Sequence, residues 1–135
     1  MVDSPAMKPD FDFTSFFRAL ADRTRLRLLN VMGNREVCVC YFVEILGTSQ
    51  PKISRHLAYL RDAGIVSARR EGKWMHYRMT DPENPAARRM LRELLDSLQA
   101  DPRMKTERAR LENICCSVAP PRSLKRAPVP QLTGN

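Results

Sequence analysis

Four cysteines in two close pairs, Cys38-Val39-Cys40 and Cys115-Cys116, are the residues of this chain best suited to chemistry. A thiolate is both a nucleophile and a soft ligand, and it selects soft, thiophilic ions. A lone buried cysteine usually behaves as a small hydrophobe, but two close pairs are hard to account for by packing. Cys38, Cys40, Cys115 and Cys116 are therefore read as ligands. Zinc fits poorly, because its four-ligand sites commonly use C-x-x-C spacing with nearby histidines; His56 and His76 fall in other elements. A redox switch is the alternative. The neighbours Cys115 and Cys116 have Cα atoms about 3.8 Å apart, short of the roughly 4.4 Å at which ordinary disulfides begin, so a bridge would join Cys38 or Cys40 to the tail pair. Catalysis finds no support: there is no C-x-x-C, no phosphate loop and no convincing acid and base pair. The chain is not expected to be an enzyme.

The elements that must position these thiols are mostly helical. Phe13, Phe16, Phe17 and Leu20 recur at helical spacing, and Asp22 caps a second helix carrying Leu26, Leu29 and Met32 up to Gly33. An apolar stretch from Val39 to Leu46 makes a third helix. Residues two apart on a helix point about 200° from each other, so Cys38 and Cys40 cannot both reach one ion unless the segment unwinds or precedes the helix start. After Gly47-Thr48-Ser49 a fourth helix runs to about Ala63, with Pro51 in its first turn. Two helices joined by a short glycine-containing turn match the helix-turn-helix unit. The fourth helix buries Ile53, Leu57 and Leu60 and turns Lys52, Arg55, Tyr59 and Asp62 outward.

Beyond Gly64 the period changes to two. Residues 65–70 and 73–79 form a hairpin turning at Glu71-Gly72, with Met75, Tyr77 and Met79 alternating against Trp74, His76 and Arg78. A helix from about Pro85 to Leu98 and a further short helix ending near Ile114 follow. The expected fold is thus mainly α with a β-hairpin wing, a dimeric winged helix-turn-helix. The Phe-rich first helix and the helix at 85–98 keep apolar faces that a symmetric dimer would bury.

The net charge of +8 over 135 residues is unevenly distributed. Residues 52–78 hold seven basic groups against two acidic ones, and the last 19 residues add Arg122, Lys125 and Arg126, while the remaining stretches are balanced. A compact basic segment is the electrostatic footprint of nucleic-acid binding. Gln50, Ser54 and Arg55 have the donors and acceptors that read base edges, and Lys52 supplies charge to phosphate. Arg69, Arg70 and Lys73 place the wing's charges against the backbone of the duplex. The length suits a single domain at 11–116, with residues 1–10 expected to be flexible and the proline-rich basic tail 117–135 disordered. No run approaches a membrane span. Residues 1–10 lack the apolar core of a secretory signal, so reduced thiols in the cytoplasm are expected.

In order along the chain, ALADRTRLRLL, EVCVC, SQPKISRHLAYLRDAGIV and GKWMHYRM resemble the ArsR/SmtB metalloregulators, and in particular their arsenic-responsive members, over about residues 12–98. The resemblance implies a dimeric repressor that binds double-stranded operator DNA without metal and is released by a metal or metalloid. It also implies DNA contacts at Gln50, Lys52, Ser54 and Arg55. Arsenite-binding members similar to this chain often carry a third cysteine where Val43 stands here, so the Cys38–Cys40 site is one ligand short. Trivalent arsenic or antimony takes up to three sulfurs, and three of these four thiols suffice. The resulting expectation is an arsenite-responsive repressor, with antimonite a further inducer and no catalytic cofactor. A sensor of a methylated trivalent arsenical, for which two thiols suffice, and a thiol-based redox switch are the alternatives.

Overall fold

The computed structural model describes residues 11–115 and 120–133. The flexible N-terminus expected at 1–10, and the ligand role expected of Cys116, lie outside the described residues. The element order is α1 (Phe13–Leu20), α2 (Arg23–Met32), β1 (Arg35–Cys38), α3 (Val39–Leu46), α4 (Gln50–Asp62), β2 (Val66–Glu71), β3 (Trp74–Met79), α5 (Pro85–Leu98), α6 (Pro102–Cys115), a 3-10 turn (Arg122–Leu124) and β4 (Gln131–Leu132).

The helix starts follow from side chains that satisfy orphan backbone N–H groups. Asp12 accepts from the Ser15 N–H at 3.0 Å, Asp22 from that of Arg25 at 3.0 Å, and Asn84 from those of Ala86 and Ala87. Ser49 occupies the cap position of α4 without a side-chain cap bond. α3 stops at Gly47, whose φ of +66° is the left-handed conformation glycine adopts at least cost. Phe16, Leu28, Leu29, Phe42, Ile53, Leu57, Leu60 and Ile65 are fully enclosed at the centre of the fold.

Three features differ from the sequence expectation. The wing is part of a four-stranded sheet in the order β2-β3-β1-β4, because the short strand β1 pairs antiparallel with β3. α6 is not short but matches α5 in length, and Arg27 of α2 makes a buried ion pair with its Glu107. The tail was expected to be disordered, yet within 120–133 Leu124 is buried against the core and β4 pairs with the outer edge of β1. An uncovered β1 edge would leave unpaired backbone groups, and β4 satisfies them.

Candidate functional site

The first pair of thiols sits where a strand becomes a helix. Cys38 is the last residue of β1 and the N-cap of α3, with extended φ −71° and ψ 145°, and Cys40 lies in the first helical turn. Cys38 thus precedes the helix, and that change of backbone direction lets both sulfurs meet: the Cys40 Sγ–H donates to Cys38 Sγ at 3.1 Å. Both residues are thiols and not half-cystines. Cys38 is 2% exposed. The hydrogen bond from Cys40 lowers the Cys38 thiol to about 6, with help from nearby backbone N–H groups and the His76 imidazole, against the opposing effect of burial. Donating that proton, together with burial, pushes Cys40 upward. The contact favours a thiolate at Cys38 held by the thiol of Cys40, and a thiolate is the form that binds soft ions.

Sequence reasoning placed His76 in the hairpin, apart from the thiols. The structure brings them together: His76 is buried at 5% exposure and is the strand partner of Cys38 where β1 pairs with β3. Its Nε2 lies 2.8 Å from Glu71 Oε1, so the strand that carries the thiol is linked through His76 to the tip of the wing. Cys115, at the end of α6, donates to the Glu112 carbonyl at 3.4 Å. Tyr41 is close enough to interact electrostatically with Cys40, Cys115 and Cys38, and burial, then those thiols, push its phenol upward. Among the described residues, no three His, Cys, Asp or Glu side chains are placed to hold one ion.

Cys38 and Cys40 line a cavity of about 300 Å³ together with Gln50, Ser54, Lys73, Trp74 and Tyr77. It therefore joins three things: the thiol pair, the first two turns of α4 and the tip of the wing. On α4, Ile53, Leu57 and Leu60 face the core, while Gln50, Lys52 and Arg55 are exposed and Ser54 is half-buried. Arg25 braces this helix from behind, reaching His56 Nδ1 at 3.2 Å and stacking 4.2 Å from the centre of the Tyr59 ring. Sequence reasoning missed Arg25 and His76, whose roles depend on tertiary neighbours.

The wing cations are not equivalent. Lys73 lies 5.0 Å over the Trp74 ring, and Arg70 reaches the Gly72 carbonyl at 3.4 Å, so both stay at the exposed tip. Arg69 instead forms a two-pronged pair with Glu36 of β1, its Nη2 at 2.7 Å from Oε1. That pairing holds the Glu36 carboxyl below its ordinary range.

A helix-turn-helix with a basic wing defines a class of DNA-binding regulators, and here it stands beside a thiol pair of which Cys38 is buried and Cys40 half-buried. Residues 22–68 match the family described as bacterial regulatory protein, arsR family. The chain is 43% identical over 101 residues to the arsenic resistance transcriptional regulator ArsR2 of Pseudomonas putida, covering 73% of this chain and 84% of that protein. It is 49% identical over 71 residues to the arsenical resistance operon repressor of Escherichia coli, a match spanning 52% of this chain and 60% of the relative. In structure it is similar to HlyU from Vibrio cholerae, with a TM-score of 0.56, 29% identity and coverage of 66% and 92%. The chain belongs to the ArsR family of bacterial transcriptional regulators and is not an enzyme.

Proposed function

We propose that the chain is an arsenite-responsive repressor, which binds operator DNA as a metalloid-free dimer and lets go when its thiolates take up trivalent arsenic or antimony. One observation carries this reading: Cys38 and Cys40 open into the same cavity as Gln50 and Ser54 of α4 and Lys73 of the wing. In this reading Gln50, Ser54 and Arg55 read base edges, and Lys52, Arg70 and Lys73 meet phosphate, joined by Arg69 when it leaves Glu36. Drawing both sulfurs onto one ion, with a thiolate from the end of α6, turns the start of α3 and fills the space between α4 and the wing. Both DNA-contacting elements then shift. Linkage requires the converse, that operator DNA weakens metalloid binding by the same factor, with coupling of about 1–3 kcal/mol.

The test is a mobility-shift titration on the chain's own operator with arsenite, methylarsenite, antimonite, cadmium, mercuric ion and zinc. Release at the lowest concentration by arsenite or antimonite is the expected result. Release by zinc alone would overturn the reading. The 3.1 Å sulfur contact also favours a second reading, in which peroxide takes two electrons and two protons from the pair, is reduced to water and leaves a disulfide. Peroxide-driven release that dithiothreitol reverses, with no response to arsenite, would select it.

A further inference from the structure

Residues 120–133 lie against the elements that carry the thiol pair and attach on either side of it. On α3, one turn past Cys40, Glu44 is held by both arms of the chain: Arg110 of α6 reaches one carboxylate oxygen at 3.1 Å and the Ser123 hydroxyl donates to the other at 2.6 Å. Leu124, 2% exposed, seals that junction. On β1, just before Cys38, Arg35↔Leu132 and Glu36↔Gln131 are strand partners. Arg35 also donates to Glu112 of α6, at 3.1 and 3.0 Å, and to the Pro130 carbonyl at 3.3 Å, and Thr133 closes on the Asn34 carbonyl at 2.8 Å. Cys115 ends the helix whose Arg110 and Glu112 make these contacts to α3 and β1, and it interacts electrostatically with Tyr41, the residue directly after Cys40.

We propose that residues 120–133 are a strap that holds Cys115 against α3 of its own chain, so that the third thiolate offered to a trivalent metalloid comes from the same protomer as Cys38 and Cys40. This rests on the sensing role proposed above for the thiol pair. The physical gain is proximity. The three sulfurs are not gathered before the ion arrives, but a third sulfur kept near α3 and β1 by Arg110 and Glu112 of its own helix acts at high effective concentration when they close on it. The strap thereby supplies what Val43 cannot.

A cross-linking experiment on the full chain tests the geometry without arsenic. The Cys38→Ser/Cys116→Ser variant keeps only Cys40 and Cys115. Unlabelled and 15N-labelled copies are mixed, allowed to exchange under native conditions, and treated with a short bis-maleimide before digestion and mass spectrometry. The expected product is a Cys40–Cys115 link within unmixed light or heavy chains, reduced when Leu124→Ser is added. Mixed light–heavy links, or the absence of a Cys40–Cys115 link, would overturn the proposal. The second arm measures arsenite affinity and sulfur coordination by X-ray absorption. Cys115→Ser is expected to weaken binding about tenfold or more and to leave two sulfurs on arsenic, with DNA binding retained and Cys116→Ser near wild type. The reverse order of the two variants would overturn the assignment of Cys115. A wild-type chain that binds no arsenite but forms the unmixed link would sink the arsenite reading and leave the strap geometry standing.

Discussion

In the proposed reading, Arg55 is the side chain on which DNA recognition depends most. It stands on the solvent face of α4, opposite the buried Ile53, Leu57 and Leu60. Arg55→Ala is expected to cost about 1–3 kcal/mol of base discrimination, leaving thiol reactivity unchanged. Unaltered operator affinity in a mobility-shift titration would remove Arg55 from the interface. Glu36 acts in the opposite sense, because it engages Arg69. Its folded-state carboxyl is lowered, first by the hydrogen bond from Arg69, so the stability it contributes is present above the ordinary value of 4.5 and is lost as pH falls through the lowered one. Denaturation curves of wild type and Glu36→Gln should therefore converge as the solution is acidified below that value. At neutral pH the same variant releases Arg69, and its log K for DNA should fall more steeply with log salt, by about one unit of slope per added phosphate contact. An unchanged slope would mean that Arg69 does not reach phosphate even when unpaired.

At the scale of elements, α4 depends on its buried stripe, and Leu57 is fully enclosed. Leu57→Ala is expected to destabilise the fold by about 2–5 kcal/mol through lost burial and a residual cavity. Urea denaturation reads this directly, and a loss under about 1 kcal/mol would contradict the packing described. α1 to α5 and the hairpin were legible in the sequence, because each has a period and most have a capping residue or glycine that ends it. The thiol pair was legible in part: two cysteines two apart cannot share an ion from a regular helix, and the chain meets that constraint by placing Cys38 before α3. β1 was not legible, since Arg-Glu-Val-Cys is too short for alternation to register and its pairing partners are distant in sequence. The same strand brings Cys38 opposite the buried His76, a neighbour that the sequence order does not reveal. α6 is polar around most of its circumference, so its length depends on tertiary anchors such as Arg27 with Glu107. The tail's four prolines suggested disorder, whereas within residues 120–133 one buried leucine and one open strand edge fix the chain.

At the scale of the whole molecule, the surface has an aromatic face that the fold itself does not cover. Phe13 and Phe17 are exposed, 38% and 48%, with ring centres 6.3 Å apart, and Met90 on α5 is also exposed. A second copy of the chain is the proposed occupant, since two-fold operators ask for two recognition helices in fixed register. Phe17→Asp should shift sedimentation from dimer to monomer and weaken operator binding, while Cys38 and Cys40 react as before. A dimer that persists would put the interface elsewhere. The central claim, that the thiol pair controls release from DNA, is tested most directly by arsenite titration of operator complexes made with wild type and with Cys38→Ser/Cys40→Ser. The account predicts that the double variant binds the operator as wild type does and stays bound at arsenite concentrations that release wild type. Release of the double variant at the wild-type arsenite concentration would contradict it.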